Sequence, residues 1–81
     1  MCFLKVCYSR YERLPVKVRT TIVQRALQDL GYVVDVSGQK DKKTTKAICD
    51  IQNKNDMSAN GVVCETTYEL LKVTKKHFKE D

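Results

Sequence analysis

Tryptophan is absent from this 81-residue chain, which also has only three glycines, one proline and one histidine. With so few aromatic residues, the core is expected to consist mostly of Leu, Ile and Val. A single histidine and no Cys-x-x-Cys pair argue against a zinc site, and no metal or cofactor is expected. No apolar run approaches the roughly 20 residues of a membrane-spanning helix. The length allows one small domain at most.

A catalytic centre is not expected either. A nucleophile needs a base beside it, and the single histidine, His77, lies in a lysine-rich tail where an exposed position is expected. No glycan-cleaving spacing relates the scattered aspartates, which are Asp29, Asp35, Asp41 and Asp50. The sequence therefore predicts that the protein is not an enzyme.

The charge balance is basic, with 15 Lys and Arg against 10 Asp and Glu and a net charge of +5. The excess is spread over the N-terminal segment, residues 40–46 and residues 72–79. It favours polyanions such as nucleic acid, wall polymers or a membrane surface, or it is a solvated basic surface. The connection over residues 56–64 is too long for a helix-turn-helix, so no nucleic-acid partner is expected.

Four cysteines, Cys2, Cys7, Cys49 and Cys64, allow three full pairings or four free thiols. If the protein is exported, the expected pair is Cys7 with Cys64. The run over residues 1–8 is too short for a signal peptide, so none is expected within this chain. Cys2 directly after Met fits the lipid-bearing cysteine of a trimmed lipoprotein, and it also fits chance.

Three segments have the apolar periodicity of amphipathic helices. In the first, Thr21 with Gln24 forms a capping-box pattern and Gly31 supplies a left-handed stop. The second ends at Asn55 and Asp56, and the third continues into the charged tail. The three stripes are Val23, Ala26, Leu27 and Leu30; Thr44, Ala47, Ile48, Ile51 and Gln52; and Tyr68, Leu71, Lys75 and Phe78.

Alternating residues near the N-terminus predict extended segments over residues 2–8 and 14–20, with Pro15 at a sheet edge. The chain is accordingly divided into an extended N-terminal segment (1–20), a three-helix domain (21–72) and a charged helix end or tail (73–81). The predicted fold is all-α, a small three-helix bundle, with a short N-terminal β segment or hairpin as an addition.

Two loops share one pattern, SGQKDKKT over residues 37–44 and NGVVCETT over residues 60–67. Each begins with a small polar residue and Gly, and each has a Thr six residues after that Gly. Because Gly adopts positive φ without steric cost, each loop is predicted to turn there and to lead into a helix. The two halves look like copies of one loop-helix unit.

Residues 23–71, 49 of the 81, resemble the peptidoglycan-binding-like domain found beside many cell-wall enzymes. The resemblance implies three helices around a small core, with Tyr68 where the family has Trp. Its matching pieces, in order and at the family's spacing, are Val23-Gln24, Leu27, Leu30-Gly31-Tyr32, the first loop, Ala47-Ile48 with Ile51-Gln52, the second loop, and Leu70-Leu71.

Both loops depart from the family pattern. Lys40 stands where the family has Phe, and Asp41 and Cys64 stand where it has a second Gly. Ser37 and Asn60 replace the family's Asp. A non-glycine residue at each second Gly position implies either a strained backbone or a loop of changed shape.

The resemblance implies a non-catalytic module of the bacterial cell envelope, periplasmic or extracellular, that binds the glycan or stem peptide of peptidoglycan. The alternative is a degenerate domain of the same fold that docks to a protein partner. For Gln52 a structural hydrogen bond to the loop is an equal alternative, and Tyr32 also fits a core or rim position. The implied ligand contacts are Arg25, Gln28, Tyr32, Lys40, Thr44 and Gln52.

Overall fold

The computed structural model describes residues 7–78, whose helices surround one hydrophobic core. The helices are α1 (Tyr8–Glu12), α2 (Val16–Asp29), α3 (Lys42–Lys54) and α4 (Glu65–Leu71), followed by a 3₁₀ helix (Lys75–Phe78). The three predicted helices correspond to α2, α3 and α4, so the all-α bundle is confirmed. No helix within the described range is long and apolar enough to cross a membrane.

Helix α2 ends where Gly31 predicts that it ends. Gly31 has φ +98°, its N–H donates to the carbonyl of Gln28, and the N–H of Tyr32 donates to the carbonyl of Leu27. These two bonds form a Schellman motif, which satisfies carbonyls that the helix leaves free. The predicted inner residues Val23, Ala26 and Leu27 are buried, whereas Leu30 is 40% exposed at the cap.

The start of α2 corrects the prediction of an extended segment over residues 14–20. Pro15 is the N-cap with φ −58°, a conformation that suits a helix start, where the missing N–H is not needed. Val16 and Val18 are exposed, so their alternation marks no buried sheet face. Thr21 lies inside the helix and donates to the carbonyl of Lys17, so the capping-box interpretation was wrong.

Helix α1 occupies the position of the hairpin that the sequence offered as an addition, so that hairpin was also wrong. Residues 1–6 of the first extended segment lie outside the described residues. Helix α1 packs through Tyr11 against Tyr68 of α4, with ring centroids 4.8 Å apart, and Tyr8 lies 5.5 Å from the same ring. The core is mostly Leu, Ile and Val, as predicted, and it also contains this aromatic cluster, which was not predicted from the sequence.

Helix α3 follows its prediction closely. The Asp41 carboxylate caps it by accepting the N–H of Thr44 at 2.9 Å, and the helix ends before Asp56, which has φ +57°. The whole predicted stripe is buried, namely Thr44, Ala47, Ile48, Ile51 and Gln52.

Helix α4 is shorter than predicted, because the chain leaves the helix at Lys72, which has φ +55°. Leu71 and Val73 are both 1% exposed. A continued α-helix would place residues two apart on roughly opposite faces, so both can enter the core only if the helix ends between them. Lys75 and Phe78 consequently belong to the 3₁₀ helix and not to the stripe of α4.

The 3₁₀ helix is attached to α2 through His77, which the sequence placed on the surface and which is only 4% exposed. Its Nδ1 accepts the N–H of Thr74 at 3.0 Å, and its Nε2 contacts the Asp29 carboxylate. Arg25 Nη1 donates to the carbonyl oxygen of His77 at 3.4 Å. The core thus includes residues before and after the predicted 21–72 domain, and that division of the chain stays a prediction.

The described cysteines are free thiols, so the expected Cys7–Cys64 disulfide is not formed. Cys7 and Cys64 are exposed, and Cys49 is half-buried on α3. Cys2, the predicted lipid attachment point, lies outside the described residues.

Candidate functional site

Loop 1 (residues 37–41) is held by one buried side chain, Gln24 of α2, which has no exposed surface. Its Oε1 accepts the backbone N–H groups of Ser37 and Gly38, each at 2.9 Å. Its Nε2 donates to the carbonyl of Gln39 at 2.8 Å and to Thr44 Oγ1 at 3.0 Å. One side-chain amide therefore provides hydrogen-bond partners for two backbone N–H groups and one carbonyl of the loop.

Loop 2 (residues 60–64) repeats this arrangement around Gln52 of α3. Its Oε1 accepts the N–H of Gly61 at 3.0 Å. Its Nε2 lies 2.9 Å from the carbonyl of Val62 and 3.1 Å from Thr67 Oγ1. It also lies 3.2 Å from Asn60 Oδ1. Counted from the glycine, the accepting carbonyl and the Thr hydroxyl occupy the same positions in both loops.

The shared pattern of the two loops therefore has one physical cause. Gly38 has φ +83° and Gly61 has φ +74°, a region that favours glycine. A Cβ on Gly38 would lie 2.9 Å from Lys17 Cγ, and a Cβ on Gly61 would lie 2.8 Å from Thr45 Cγ2. The positive φ and the close approach to a neighbouring helix both require glycine at this point, and the glycine N–H then bonds the buried glutamine.

The missing second glycines do not strain the loops. Asp41 and Cys64 have φ −95° and −106°, which is ordinary extended backbone, and each is the N-cap of the helix that follows. The Asp41 side chain caps α3, and this hydrogen bond from Thr44 holds the pKa of the Asp41 carboxyl below its usual value. Of the two alternatives that the sequence offers, the strained backbone is therefore not observed.

Beside the loops lies a cavity of about 170 Å³, here called the basic groove. Its walls come from α1, from α2 between Val16 and Val23, from α3 between Thr44 and Ile48, and from both loops. Its cations are Arg19 and Lys40, and no carboxylate lines it within the described part of the chain. Its apolar surface includes Val16 and Val62, which are 66% and 55% exposed.

Arg19 and Tyr11 both lie in the wall of the basic groove, the first with a guanidinium and the second with a phenol. Arg19 Nε is buried without a hydrogen-bond partner among residues 7–78. Burial raises the pKa of Tyr11 to about 12, and the nearby Arg19 charge opposes that rise. The phenol therefore stays protonated at neutral pH and keeps a proton to donate.

The six expected ligand contacts are not brought together. Lys40 and Thr44 line the basic groove, but Thr44 is fully buried and bonds Gln24. Gln52 is 1% exposed, so the structural alternative offered for it is the one observed.

The other three expected contacts lie outside the basic groove. Arg25 is half-buried beside the 3₁₀ helix, and exposed Gln28 donates to the carbonyl of Val34 at 2.7 Å. Half-buried Tyr32 donates to Asp50 Oδ2 at 2.6 Å, and this bond raises the pKa of the phenol and lowers that of Asp50. Lys54 pairs with the same carboxylate oxygen at 3.2 Å.

Sequence reasoning missed Arg19, Tyr11 and Val16 because it assigned residues 14–20 to an extended segment and began the three-helix domain at residue 21. One feature of the sequence could have indicated Arg19. If the predicted helix is extended backward from Val23, Arg19 lies one turn earlier on the same face. The His77–Asp29 contact was missed as well, since nothing local in the tail indicates burial.

A comparison with protein families finds a match over residues 18–71, two thirds of the chain, to the model described as "Putative peptidoglycan binding domain". The chain belongs to this family, as the resemblance predicts. No curated protein and no solved structure matches it. Family membership indicates peptidoglycan as the partner and an association with the cell wall.

Proposed function

We propose that the protein is a non-catalytic peptidoglycan-binding module of the cell envelope and that its ligand lies in the basic groove. The observation that carries this proposal is a cavity lined by two cations, Arg19 and Lys40, that form no ion pair among residues 7–78 and lie within the segment that matches the family. Loop 1 and loop 2 contribute to its rim, and hydrogen bonds from the buried Gln24 and Gln52 fix their backbones. A rigid rim reduces the entropy that binding would otherwise cost.

The surroundings of the one histidine support a non-catalytic role. A catalytic His must keep one ring nitrogen for a nucleophile or substrate. In His77, Nδ1 accepts a backbone N–H and Nε2 contacts Asp29. The ring therefore attaches the 3₁₀ helix to α2, and no nitrogen remains to act as a base.

Among the expected contact residues, Lys40 is kept as a direct ligand contact, whereas Thr44 and Gln52 act by fixing the loops. Arg25, Gln28 and Tyr32 are kept as contacts for a longer ligand that extends beyond the groove. Location in the envelope, including a lipid anchor at Cys2, forms part of this proposal.

Docking to a protein partner is the second candidate, and one surface favours it. After α2, Leu30, Val33 and Val36 are 40%, 83% and 38% exposed. The three exposed apolar residues lie within seven positions of the chain, and exposed apolar residues of this kind are a feature of docking sites when they adjoin one another. This surface lies outside the lining of the basic groove, so the two candidate functions predict different sensitive residues.

The test is retention of the 81-residue chain on purified peptidoglycan sacculi at low salt and at about 0.5 M salt, where exposed charges are screened. We expect retention at both, and weaker retention of Lys40→Gln than of Lys46→Gln, which removes an equal charge outside the basic groove. Retention at low salt alone would mean that the net charge does the binding. No retention at either would overturn the proposal, and sensitivity to Val33→Ser would then be examined with candidate partners.

A further inference from the structure

We propose that the basic groove binds the carboxylate end of a short peptide whose last side chains are small and apolar, with Arg19 as the charged anchor. This inference rests on the proposed function and names the part of the wall polymer that is bound: the stem peptide, and not the glycan strand.

Charge is the first step. Arg19 and Lys40 line one cavity, and no acidic residue among those described lines it with them. Neither cation forms an ion pair within the described chain, whereas the Lys54 ammonium, elsewhere on the surface, pairs with Asp50. A guanidinium without a carboxylate partner, facing a cavity, has the geometry and charge to bind an anionic group with two oxygens.

Hydrogen bonding is the second step. Arg19 Nε is buried and lacks an acceptor among residues 7–78. A buried donor without a hydrogen bond is unfavourable. The hydroxyls that could serve a sugar are already engaged: Thr20 donates to the carbonyl of Val16, and Thr44 Oγ1 accepts from Gln24. Of the other polar side chains in the lining, Arg19 and Lys40 can only donate, and the Tyr11 phenol has a proton to donate as well. A carboxylate only accepts, whereas sugar hydroxyls both donate and accept.

Size and lining are the third step. The volume of about 170 Å³ is below the roughly 300 Å³ at which pockets for whole small molecules begin. It accommodates the end of a chain better than a disaccharide. The lining also includes apolar side chains, among them Val62 and Ile48, and methyl side chains of a ligand would pack against them. A phosphodiester polymer offers the charge but no apolar group to pack there.

The test uses the full 81-residue chain, labelled with ¹⁵N, and a diacetylated Lys-D-Ala-D-Ala tripeptide with either a free carboxylate or a terminal amide. The free acid is expected to bind, to shift the Arg19 side-chain Nε–H signal and the Lys40 and Val62 amide signals, and to bind about tenfold more tightly than the amide. Equal affinity for acid and amide would overturn the inference.

Variants of the chain separate the anchor from general charge. Arg19→Gln is expected to lose about tenfold or more in affinity, and Arg19→Lys is expected to retain part of it. Arg13→Gln removes the same charge from an exposed position outside the groove lining and is expected to bind like the parent chain. Val62→Glu places a negative charge on an exposed part of the wall and is expected to abolish binding without unfolding the chain.

Sacculi distinguish failure of this inference from failure of the proposed function. Sacculi stripped of their stem peptides by an amidase are expected to lose retention of the chain. If stripped and intact sacculi retain the chain equally, the function stands and the ligand is glycan. If neither retains it, both proposals fail. Retention that depends on a phosphate polymer attached to the wall would also overturn the carboxylate assignment.

Discussion

Gln52 Oε1 accepts the backbone N–H of Gly61 at 3.0 Å, with the glutamine 1% exposed. The first loop repeats this bond between Gln24 and Gly38 at 2.9 Å. Each glutamine belongs to the helix that precedes its loop and fixes the path of the chain toward the next helix. Both connections of the three-helix bundle are therefore held by the same interaction, a buried glutamine that bonds the loop glycine.

Replacing either glutamine by alanine should strongly destabilise the fold. Gln24→Ala or Gln52→Ala leaves buried backbone and hydroxyl groups without partners, at about 1–3 kcal/mol for each such group. We expect each variant to lose about 2–4 kcal/mol of unfolding free energy, measured by urea denaturation. Gln28→Ala, which removes one bond from an exposed residue, should lose less than about 1 kcal/mol. Equal losses in all three variants would contradict the buried roles of Gln24 and Gln52.

Alanine at the loop glycines should be more harmful than alanine at the helix-ending glycine. All three glycines have positive φ, so each substitution has a conformational cost of about 1–2 kcal/mol. Gly38→Ala and Gly61→Ala also introduce a contact below 3.0 Å with a neighbouring helix, whereas a Cβ on Gly31 has nothing within 4 Å. We expect midpoints of thermal unfolding in the order Gly31→Ala above both loop variants. A Gly31→Ala variant that unfolds first would show that the loops relax freely.

Removal of the His77 ring should release the 3₁₀ helix from α2. His77→Ala leaves the Thr74 N–H and the Asp29 carboxylate without this partner, and we expect a loss of about 2–3 kcal/mol. Asp29→Asn keeps an oxygen that can accept from the ring and should lose less than about 1 kcal/mol. Amide hydrogen exchange should show faster exchange at Thr74 in His77→Ala. Unchanged protection there would contradict the attachment.

The two buried phenols predict an alkaline limit to stability. Burial raises the pKa of both Tyr11 and Tyr68 to about 12. A raised pKa means that the folded state favours the neutral phenol, so this stability is complete below the ordinary tyrosine pKa of about 10. It is lost as the pH rises from about 10 through 12, where the unfolded state loses protons first.

Unfolding free energy measured against pH should therefore decrease steeply above about pH 10. Ultraviolet absorbance of the phenolate should show a late titration step, and Tyr11→Phe should reduce its amplitude. A single titration of all four tyrosines near pH 10 would contradict the burial of these rings.

Local periodicity was sufficient to predict the parts of the fold in which one face of a helix is buried. The stripe of α3 and the Gly31 stop depend on residues a few positions apart, and both are confirmed. The ends of the bundle depend on distant contacts. Tyr11 becomes buried because α4 brings Tyr68 to it, and α4 ends at Lys72 because Val73 has a place in the core. Neither cause is visible in a short window of sequence.

The candidate site was predicted less well than the fold, for a related reason. Polar residues on a helix look alike in sequence whether they face a ligand or a loop. Burial separates them: Thr44 and Gln52 face inward, while Lys40 lies at the cavity. Arg19 was missed because one proline and two alternating valines favour an extended segment, and the buried core on the other side of the helix decides otherwise.

The two glutamines have a consequence for how this surface can change over evolution. In both loops they bond the glycine N–H, the next carbonyl and the threonine hydroxyl, and their further bonds go to the Ser37 N–H in loop 1 and to the Asn60 side chain in loop 2. None of these bonds involves the side chains of Lys40, Asp41 or Cys64. Lys40, Asp41 and Cys64 could therefore replace other residues without altering the path of the chain. Substitutions at these positions can change which ligand the domain binds, one side chain at a time, while the loop backbone stays the same.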